Sequence, residues 1–401
     1  MKKQKNLEKK NMLKEVKSKE SAYSTSLYYG FTAIETPKIE KEDYALANSI
    51  KSKAKNKDKN SEYRPILEGK VALLRNYENK TIPGSLQPAN LYYEGNIGQG
   101  KDLKSKKIFN LDILGSNKSV CEATLIKAAF AILKDAGYKN LSIEINCLGD
   151  KESITRFVKE MSNYCRKNIA SLPHTFRQAV KKDVLAILSL EGEKYQNIKE
   201  NTPQSISFLS ESSQNYFKEV LEYIEQMGIS YKMNNCLTGD RDYSSHTVFQ
   251  IVNNDEEKDS ENYILAFGSR YNVLSKKMGW KKELPATGIT IYIPKSVSKK
   301  NSEKNFKKAR FYFIQLGFDA KMKSLEVIEL LRQSKIPVQQ SLSKDKLGAQ
   351  LAMAENLGYK YIIIMGQKEA MENSVLVRNI ETRSQETVAI ADLAKYLKKI
   401  K

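Results

Sequence analysis

The residues from Leu237 to Val252 combine acids, serines and a histidine in one short stretch, LTGDRDYSSHTVFQIV. Asp240 and Asp242 could act as a general acid and base, and His246, directly after two serines, could suggest a nucleophilic triad. Two carboxylates two residues apart in a loop are, however, more typical of turn formers. The apolar run that begins at Thr247 predicts a loop leading into a buried strand.

The composition favours partners that carry phosphate. The chain has 401 residues and a net charge of +20, which indicates nucleic acid first and an anionic membrane second. The alternative is a lysine-rich protein whose charge is only a solvated surface. Because four scattered cysteines and two histidines make zinc chemistry improbable, we expect no metal site. No apolar run approaches the roughly 18 residues that span a bilayer. The lysine-rich start is not followed by an apolar segment, so it is not a secretory signal, and the scattered cysteines fit a reducing cytoplasm.

The segments around this stretch predict the elements that position it. Leu27 to Glu40 predicts a helix end, a glycine stop and a strand that ends at Pro37. Asn90 to Gly115 predicts two strands joined by a basic loop, and Val120 to Asp150 predicts a helix, a strand and a helix N-cap at Asp150. The alternation of strand and helix from residue 309 onward predicts a small α/β domain with a mostly parallel core.

The opening stretch resembles the histidine-specific motif of histidyl-tRNA synthetases, Leu-Val-Arg-Gly-Leu-Asp-Tyr-Tyr-x-Arg-Thr-Val-Phe-Glu. The matching positions are Leu237, Asp242, Tyr243, Thr247, Val248 and Phe249. Other family motifs are matched in the same order along the chain. They include Glu68-Gly69, the Leu-Gly-Asp turn at Asp150, Gly268, Arg270 and Tyr271, and Pro285, Ala286 and Gly288. The family has an arginine where His246 stands, which argues against a triad.

The resemblance runs roughly from Gly30 to Lys401 and implies a fold. It is an α+β class II aminoacyl-tRNA synthetase core, an antiparallel sheet with helices, plus a C-terminal α/β anticodon-binding domain. The domains we expect are a Lys-rich extension (1–22), the core (23–296, with a helical segment at about 151–204), a linker (297–308) and the C-terminal domain (309–401). In the last domain, Gln350 and Glu369 match family motifs, so the resemblance implies RNA contacts there.

The resemblance also implies the residues of a substrate pocket. They are Glu68, Asp112, Tyr243, Arg270 and Tyr271. The family glutamate matched by Glu68 holds the amino group of histidine. Lys70 replaces a family threonine, and we expect its ammonium to compete for the carboxylate of Glu68.

Three catalytic arginines of the family are replaced here, by Glu94, Gly239 and Lys295. A carboxylate at position 94 would repel a phosphate. Losing fixed cations of this kind removes about 6–10 kcal/mol of transition-state stabilisation, even when their effects are not additive. Lys101 and Lys104, in the basic loop, could contact phosphate instead, although lysine lacks the planar fork of arginine.

We therefore expect a histidyl-tRNA synthetase-like homodimer that binds tRNA or another RNA and charges tRNA weakly or not at all. One alternative is a divergent active histidine–tRNA ligase that uses ATP and Mg²⁺ with histidine. A second is a regulatory subunit of ATP phosphoribosyltransferase, although such subunits usually lack the anticodon-binding domain. Histidine is a possible ligand, no cofactor is certain, and no membrane partner is expected.

Overall fold

The computed structural model describes residues 22–51, 66–81, 88–95, 106–189, 193–256, 263–294, 309–342 and 344–400. The predicted linker and most of the predicted Lys-rich extension lie outside these ranges. So do Lys101, Lys104 and Lys295. The domain limits given above stay predictions. Within the described ranges, no helix is long and apolar enough to cross a membrane.

The first part of the chain forms a sheet of eight strands in the order β1-β2-β3-β8-β7-β6-β4-β5. The two edge strands, β1 and β5, run parallel to their neighbours, and every other pair is antiparallel. The strands are β1 (Thr32–Ala33), β2 (Ala89–Glu94), β3 (Lys106–Leu114), β4 (Leu141–Cys147), β5 (Tyr231–Met233), β6 (Ser245–Asn253), β7 (Ile264–Arg270) and β8 (Ala286–Pro294).

Nine α-helices are described before the C-terminal domain. They are α1 (Ala22–Tyr28), α2 (Lys41–Ile50), α3 (Leu67–Glu78), α4 (Val120–Asp135), α5 (Lys151–Asn168), α6 (His174–Lys182), α7 (Gln196–Glu200), α8 (Glu211–Gln226) and α9 (Val273–Lys277). Residues of α4 and α8 join one face of the sheet in a single apolar cluster. Short 3-10 turns at 169–171, 184–189, 193–195 and 205–208 connect the middle helices.

The C-terminal domain is a five-stranded sheet in the order β10-β9-β11-β12-β13, with parallel pairing among the first three strands. Its strands are β9 (Phe311–Gln315), β10 (Val338–Gln340), β11 (Tyr361–Met365), β12 (Ser374–Asn379) and β13 (Gln385–Ala389). Its helices are α10 (Phe318–Gln333), α11 (Leu347–Asn356), α12 (Gln367–Met371) and α13 (Ile390–Lys399). Both sheets together confirm the predicted fold class, an α+β core followed by a small α/β domain.

Most predicted elements are confirmed, and two differ. Asp150 is an N-cap, because its Oδ1 accepts a hydrogen bond of 2.9 Å from the backbone of Ser153. The strand predicted to end at Pro37 was too long, since only Thr32 and Ala33 pair with β2. Helix α2 was not predicted at all.

The C-terminal domain packs directly on the core through α10. Tyr29 donates a hydrogen bond of 2.5 Å from its hydroxyl to Glu329 Oε2. Arg332 Nη1 lies 2.8 Å from Asp135 Oδ2, and both side chains are largely buried. One apolar cluster also includes residues of both sheets, so the two sheets share a continuous core.

Candidate functional site

The centre of the predicted substrate pocket is the carboxylate of Asp112. It projects from β3 and is 0% exposed. Three donors reach it: Lys70 Nζ at 2.5 Å, the hydroxyl of Tyr271 at 2.6 Å and the hydroxyl of Tyr93 at 2.9 Å. A buried carboxylate is stable only with such partners, and here one partner is a full positive charge. The structure thus brings Asp112 and Tyr271 together, as the sequence predicted.

Lys70 reaches this carboxylate from α3. Along this helix Leu67, Lys70, Val71 and Leu74 follow the spacing of one buried face, and Lys70 is only 2% exposed. Its ammonium also lies 4.8 Å from the centroid of the Tyr271 ring, within the range of a cation–π contact. We predicted that Lys70 would compete for Glu68. That prediction was wrong, because the lysine points instead to Asp112.

Glu68 has a different lysine as its partner. Lys51, at the end of α2, forms an ion pair and hydrogen bond with Glu68 Oε1. The side chain of Glu68 is 5% exposed, whereas that of Lys51 is 38% exposed. Both acids predicted to bind substrate are therefore neutralised by lysines of the chain itself.

The aromatic wall of the pocket comes from Tyr93, Tyr243 and Tyr271. The rings of Tyr243 and Tyr271 meet edge to face, with centroids 6.4 Å apart at an interplanar angle of 89°. Burial raises the pKa of Tyr93 and Tyr271 well above the usual value, and the charge of Asp112 raises both further. These phenols therefore remain protonated donors at any physiological pH.

Two of the three replaced arginine positions lie in the described part of the chain. Glu94 ends β2, and its Oε1 accepts a hydrogen bond of 2.9 Å from the hydroxyl of Tyr92. Gly239 has φ +65°, and a Cβ there would come within 2.6 Å of Ser244 Cβ. Neither of these two positions supplies a cation.

Comparison with known proteins finds relatives along most of this chain. The family model described as "Anticodon binding domain" matches residues 310–400. A histidine–tRNA ligase of Bacillus licheniformis is 27% identical over 385 residues, covering 93% of this chain and 88% of that protein. A histidine–tRNA ligase of Bacillus subtilis is 27% identical over 341 residues, covering 82% of this chain and 80% of that protein. This chain is therefore similar to histidine–tRNA ligases over most of its length.

A solved structure of apo histidyl-tRNA synthetase from S. aureus is 22% identical, with a TM-score of 0.49. The alignment covers 97% of this chain and 94% of that one. Within the core of this chain, Arg270 does not contact the carboxylate of Asp112 and pairs instead with Glu122. It makes a two-pronged pair with Glu122, at 2.7 and 2.8 Å, and donates a bond of 3.0 Å to the carbonyl of Ser116. Its 1% exposure assigns it a packing role, and substrate binding by Arg270 stays a prediction.

The two residues predicted to contact RNA in the anticodon-binding domain are held by the protein. The side chain of Gln350 is 0% exposed, and its amide donates a hydrogen bond of 2.9 Å to the carbonyl of Gln315. Glu369 Oε2 accepts a hydrogen bond of 2.9 Å from the backbone N–H of Gly366 and so caps α12. Both side chains therefore stabilise local structure, and RNA binding by either remains untested.

The loop of the histidine motif is built as a turn. Asp240 Oδ1 accepts a hydrogen bond of 2.9 Å from the backbone of Asp242, which agrees with the turn-former interpretation. His246 packs beside the ring of Tyr216, with centroids 6.0 Å apart. Burial, and secondly the charge of Arg270, lower the pKa of His246, so the ring is neutral at pH 7.

Sequence reasoning missed two residues that contact or closely approach Asp112, Tyr93 as a hydrogen-bond donor and Gly288, and it missed Lys51 as the partner of Glu68. Gly288 lies directly opposite Asp112 in the β3–β8 pair. A Cβ at Gly288 would lie 1.9 Å from Asp112 Oδ1. The sequence did contain a signal that Lys70 is buried, because this lysine interrupts an otherwise apolar helical face.

Proposed function

We propose that this protein is a histidyl-tRNA synthetase-like RNA-binding protein that does not activate histidine efficiently. The observation that carries the proposal is the match of residues 310–400 to an anticodon-binding domain in a chain of net charge +20. A positive surface attracts nucleic acid by releasing its counterions, whatever its sequence. The ligand we expect is tRNA or a related RNA.

A basic surface on the core supports the proposal. Residues 151–182 contain eight lysines and arginines against two glutamates, an excess of six positive charges. Arg166 and Lys167 at the end of α5, and Lys181 and Lys182 at the end of α6, are exposed. Exposed basic side chains of this kind suit the repeated charge of a phosphate backbone.

The proposed loss of activation is supported by the charges at the site. Activation places excess negative charge on a phosphate, and fixed cations supply most of the catalysis. Position 94 is a carboxylate here, and position 239 has no side chain. Lys101, Lys104 and Lys295 lie outside the described residues, so a rescue by lysine stays a prediction.

Other predictions about this protein also remain proposals. We also propose assembly as a homodimer and a cytoplasmic location, and the similarity to histidine–tRNA ligases supports both. The 27% identity to histidine–tRNA ligases favours the second candidate, a divergent active ligase. A regulatory role in histidine biosynthesis remains the third.

RNA binding is tested by titrating the protein with tRNA over a range of salt concentrations. We expect tight binding at low salt that weakens as salt rises. Replacing Arg166, Lys167, Lys181 and Lys182 by alanine is expected to lower the log–log salt slope by about 0.7–0.9 for each phosphate that the variant no longer neutralises. The control removes two exposed lysines elsewhere, Lys281 and Lys282, and should change the slope less for each charge removed. No binding even at low salt contradicts the proposal.

Activation is tested by histidine-dependent exchange between ATP and pyrophosphate. This assay requires no knowledge of the RNA, and we expect exchange at background from the folded wild type. A histidine–tRNA ligase from a relative such as Bacillus licheniformis serves as the positive control. Exchange well above background would identify an active ligase and overturn this half of the proposal.

A further inference from the structure

The feature that goes beyond the proposed function is the lysine buried in the pocket. The ammonium of Lys70 has a carboxylate oxygen at 2.5 Å and an aromatic face at 4.8 Å. A carboxylate and an aromatic face are two of the groups with which proteins bind the ammonium group of a ligand. Lys70 therefore occupies its pocket as a ligand would, although it is part of the chain.

The residues around this pair approach it closely. Asp112 accepts hydrogen bonds from both tyrosine hydroxyls in addition to the lysine. A Cβ at Gly288 would lie 1.9 Å from Asp112 Oδ1 and 3.0 Å from Lys70 Nζ. Strand β8 therefore makes room for the carboxylate and the ammonium only because residue 288 has no side chain.

We propose that Lys70 is the resident ligand of this site, that it excludes an amino acid, and that the emptied pocket binds small primary alkylammonium ions. The inference deepens the proposed function, and rests on it, because it assigns the loss of amino-acid binding to one side chain. The neighbouring pair of Lys51 and Glu68 does not form such a site. Lys51 is 38% exposed, so water can replace its ammonium beside Glu68.

The chemistry of the lysine side chain identifies the probe. Substituting Lys70→Ala removes three methylene groups and the ammonium, which together have the shape and charge of n-propylammonium. The variant keeps Asp112 as a buried carboxylate beside two tyrosine donors. An apolar cavity and an unpaired charge are both unfavourable, and n-propylammonium relieves both at once. A neutral molecule of similar shape, 1-propanol, fills the cavity without pairing the charge.

The experiment is calorimetric titration of the full-length chain with n-propylammonium, 1-propanol and histidine. We expect Lys70→Ala to bind n-propylammonium at least about tenfold more tightly than the wild type does, because this variant combines an empty cavity with an unpaired buried carboxylate. Lys70→Met, which fills the cavity without a charge, and the matched control Lys51→Ala are both expected to behave as the wild type. The proposal is overturned if the wild type binds n-propylammonium or histidine as tightly as Lys70→Ala binds n-propylammonium. It is also overturned if folded Lys70→Ala binds no amine.

A variant that fails to fold is still informative. The double variant Lys70→Ala, Asp112→Asn has neither charge and is expected to fold without an amine. If Lys70→Ala folds only with n-propylammonium, and not with 1-propanol, the proposal is supported. If the double variant folds while the amine does not recover Lys70→Ala, the proposal is wrong.

RNA binding by the wild type and by Lys70→Ala is titrated in parallel. Lys70 is 2% exposed, so we expect equal RNA affinity from both proteins when both are folded. A wild type that binds no RNA contradicts the proposed function and leaves the amine result intact. An amine result that contradicts the resident lysine, with normal RNA binding, leaves the proposed RNA binding intact.

Discussion

Replacing Lys70 by methionine tests the buried pair directly, because it removes the charge and nearly preserves the volume. Asp112 would keep its two tyrosine hydrogen bonds and lose the cation that pairs with it among the described residues. Removing one partner of a buried ion pair costs about 3–5 kcal/mol, since an uncompensated charge remains. The tyrosine bonds are present before and after the change. We therefore expect the free energy of unfolding to fall by about 3 kcal/mol or more.

The pair is isolated by a double-mutant cycle with Asp112→Asn. The double variant contains neither charge, and replacing a buried pair by neutral groups of similar volume is often close to neutral in stability. We expect it to be more stable than either single variant, with a coupling energy of about 3 kcal/mol. The single tryptophan, Trp280, packs on the cluster that contains Tyr93 and Tyr271, so its fluorescence reports urea unfolding near the site. Single variants that each lose less than about 1 kcal/mol, with additive effects, would refute the reasoning.

Three other changes give separate tests. Gly288→Ala should lower the free energy of unfolding by about 1–3 kcal/mol in urea, because its Cβ collides with Asp112; an unchanged midpoint would contradict this close approach. Gly239→Arg restores the residue type of the family's arginine but not its backbone conformation, because φ is +65° and Ser244 blocks the Cβ. We therefore expect lower stability and no gain in pyrophosphate exchange. Burial opposes ionisation of Asp150, but hydrogen bonds from Ser210 and Ser153 outweigh it and lower its pKa to about 2. Its contribution is therefore present above about pH 3.9, the unfolded value, and is lost as pH falls through about 2. Asp150→Asn should flatten the fall in urea midpoint between these pH values, and an unchanged slope would contradict this assignment.

Local patterns predicted the parts of this protein that depend on neighbours in sequence. The N-cap at Asp150 and the strand from Thr247 to Val252 follow from turn chemistry and apolar runs within a few residues. The two-residue strand β1 was overestimated, because its length is set by how far it pairs with β2 and not by its own residues.

The charged pairs of the site could not be predicted in this way. Lys70 and Asp112 are 42 residues apart, and Arg270 and Glu122 are 148 apart. The helical face around Lys70 signals burial, yet a buried lysine can pair with any acid that the fold brings near. The sequence neighbour Glu68 was the natural guess. The fold decides otherwise, because α3 directs Lys70 toward β3.

The proposed losses affect both halves of one reaction. An activated amino acid requires cations around an anionic phosphate and an acidic pocket for a cationic amino acid. In this chain a carboxylate stands at position 94 on the phosphate side, and the acids at positions 68 and 112 are already paired with lysines. Restoring one arginine would leave the amino-acid pocket closed, and opening the pocket would leave the phosphate unheld. Recovery of exchange should therefore require changes on both sides together. A single substitution that restores exchange would contradict this two-sided account.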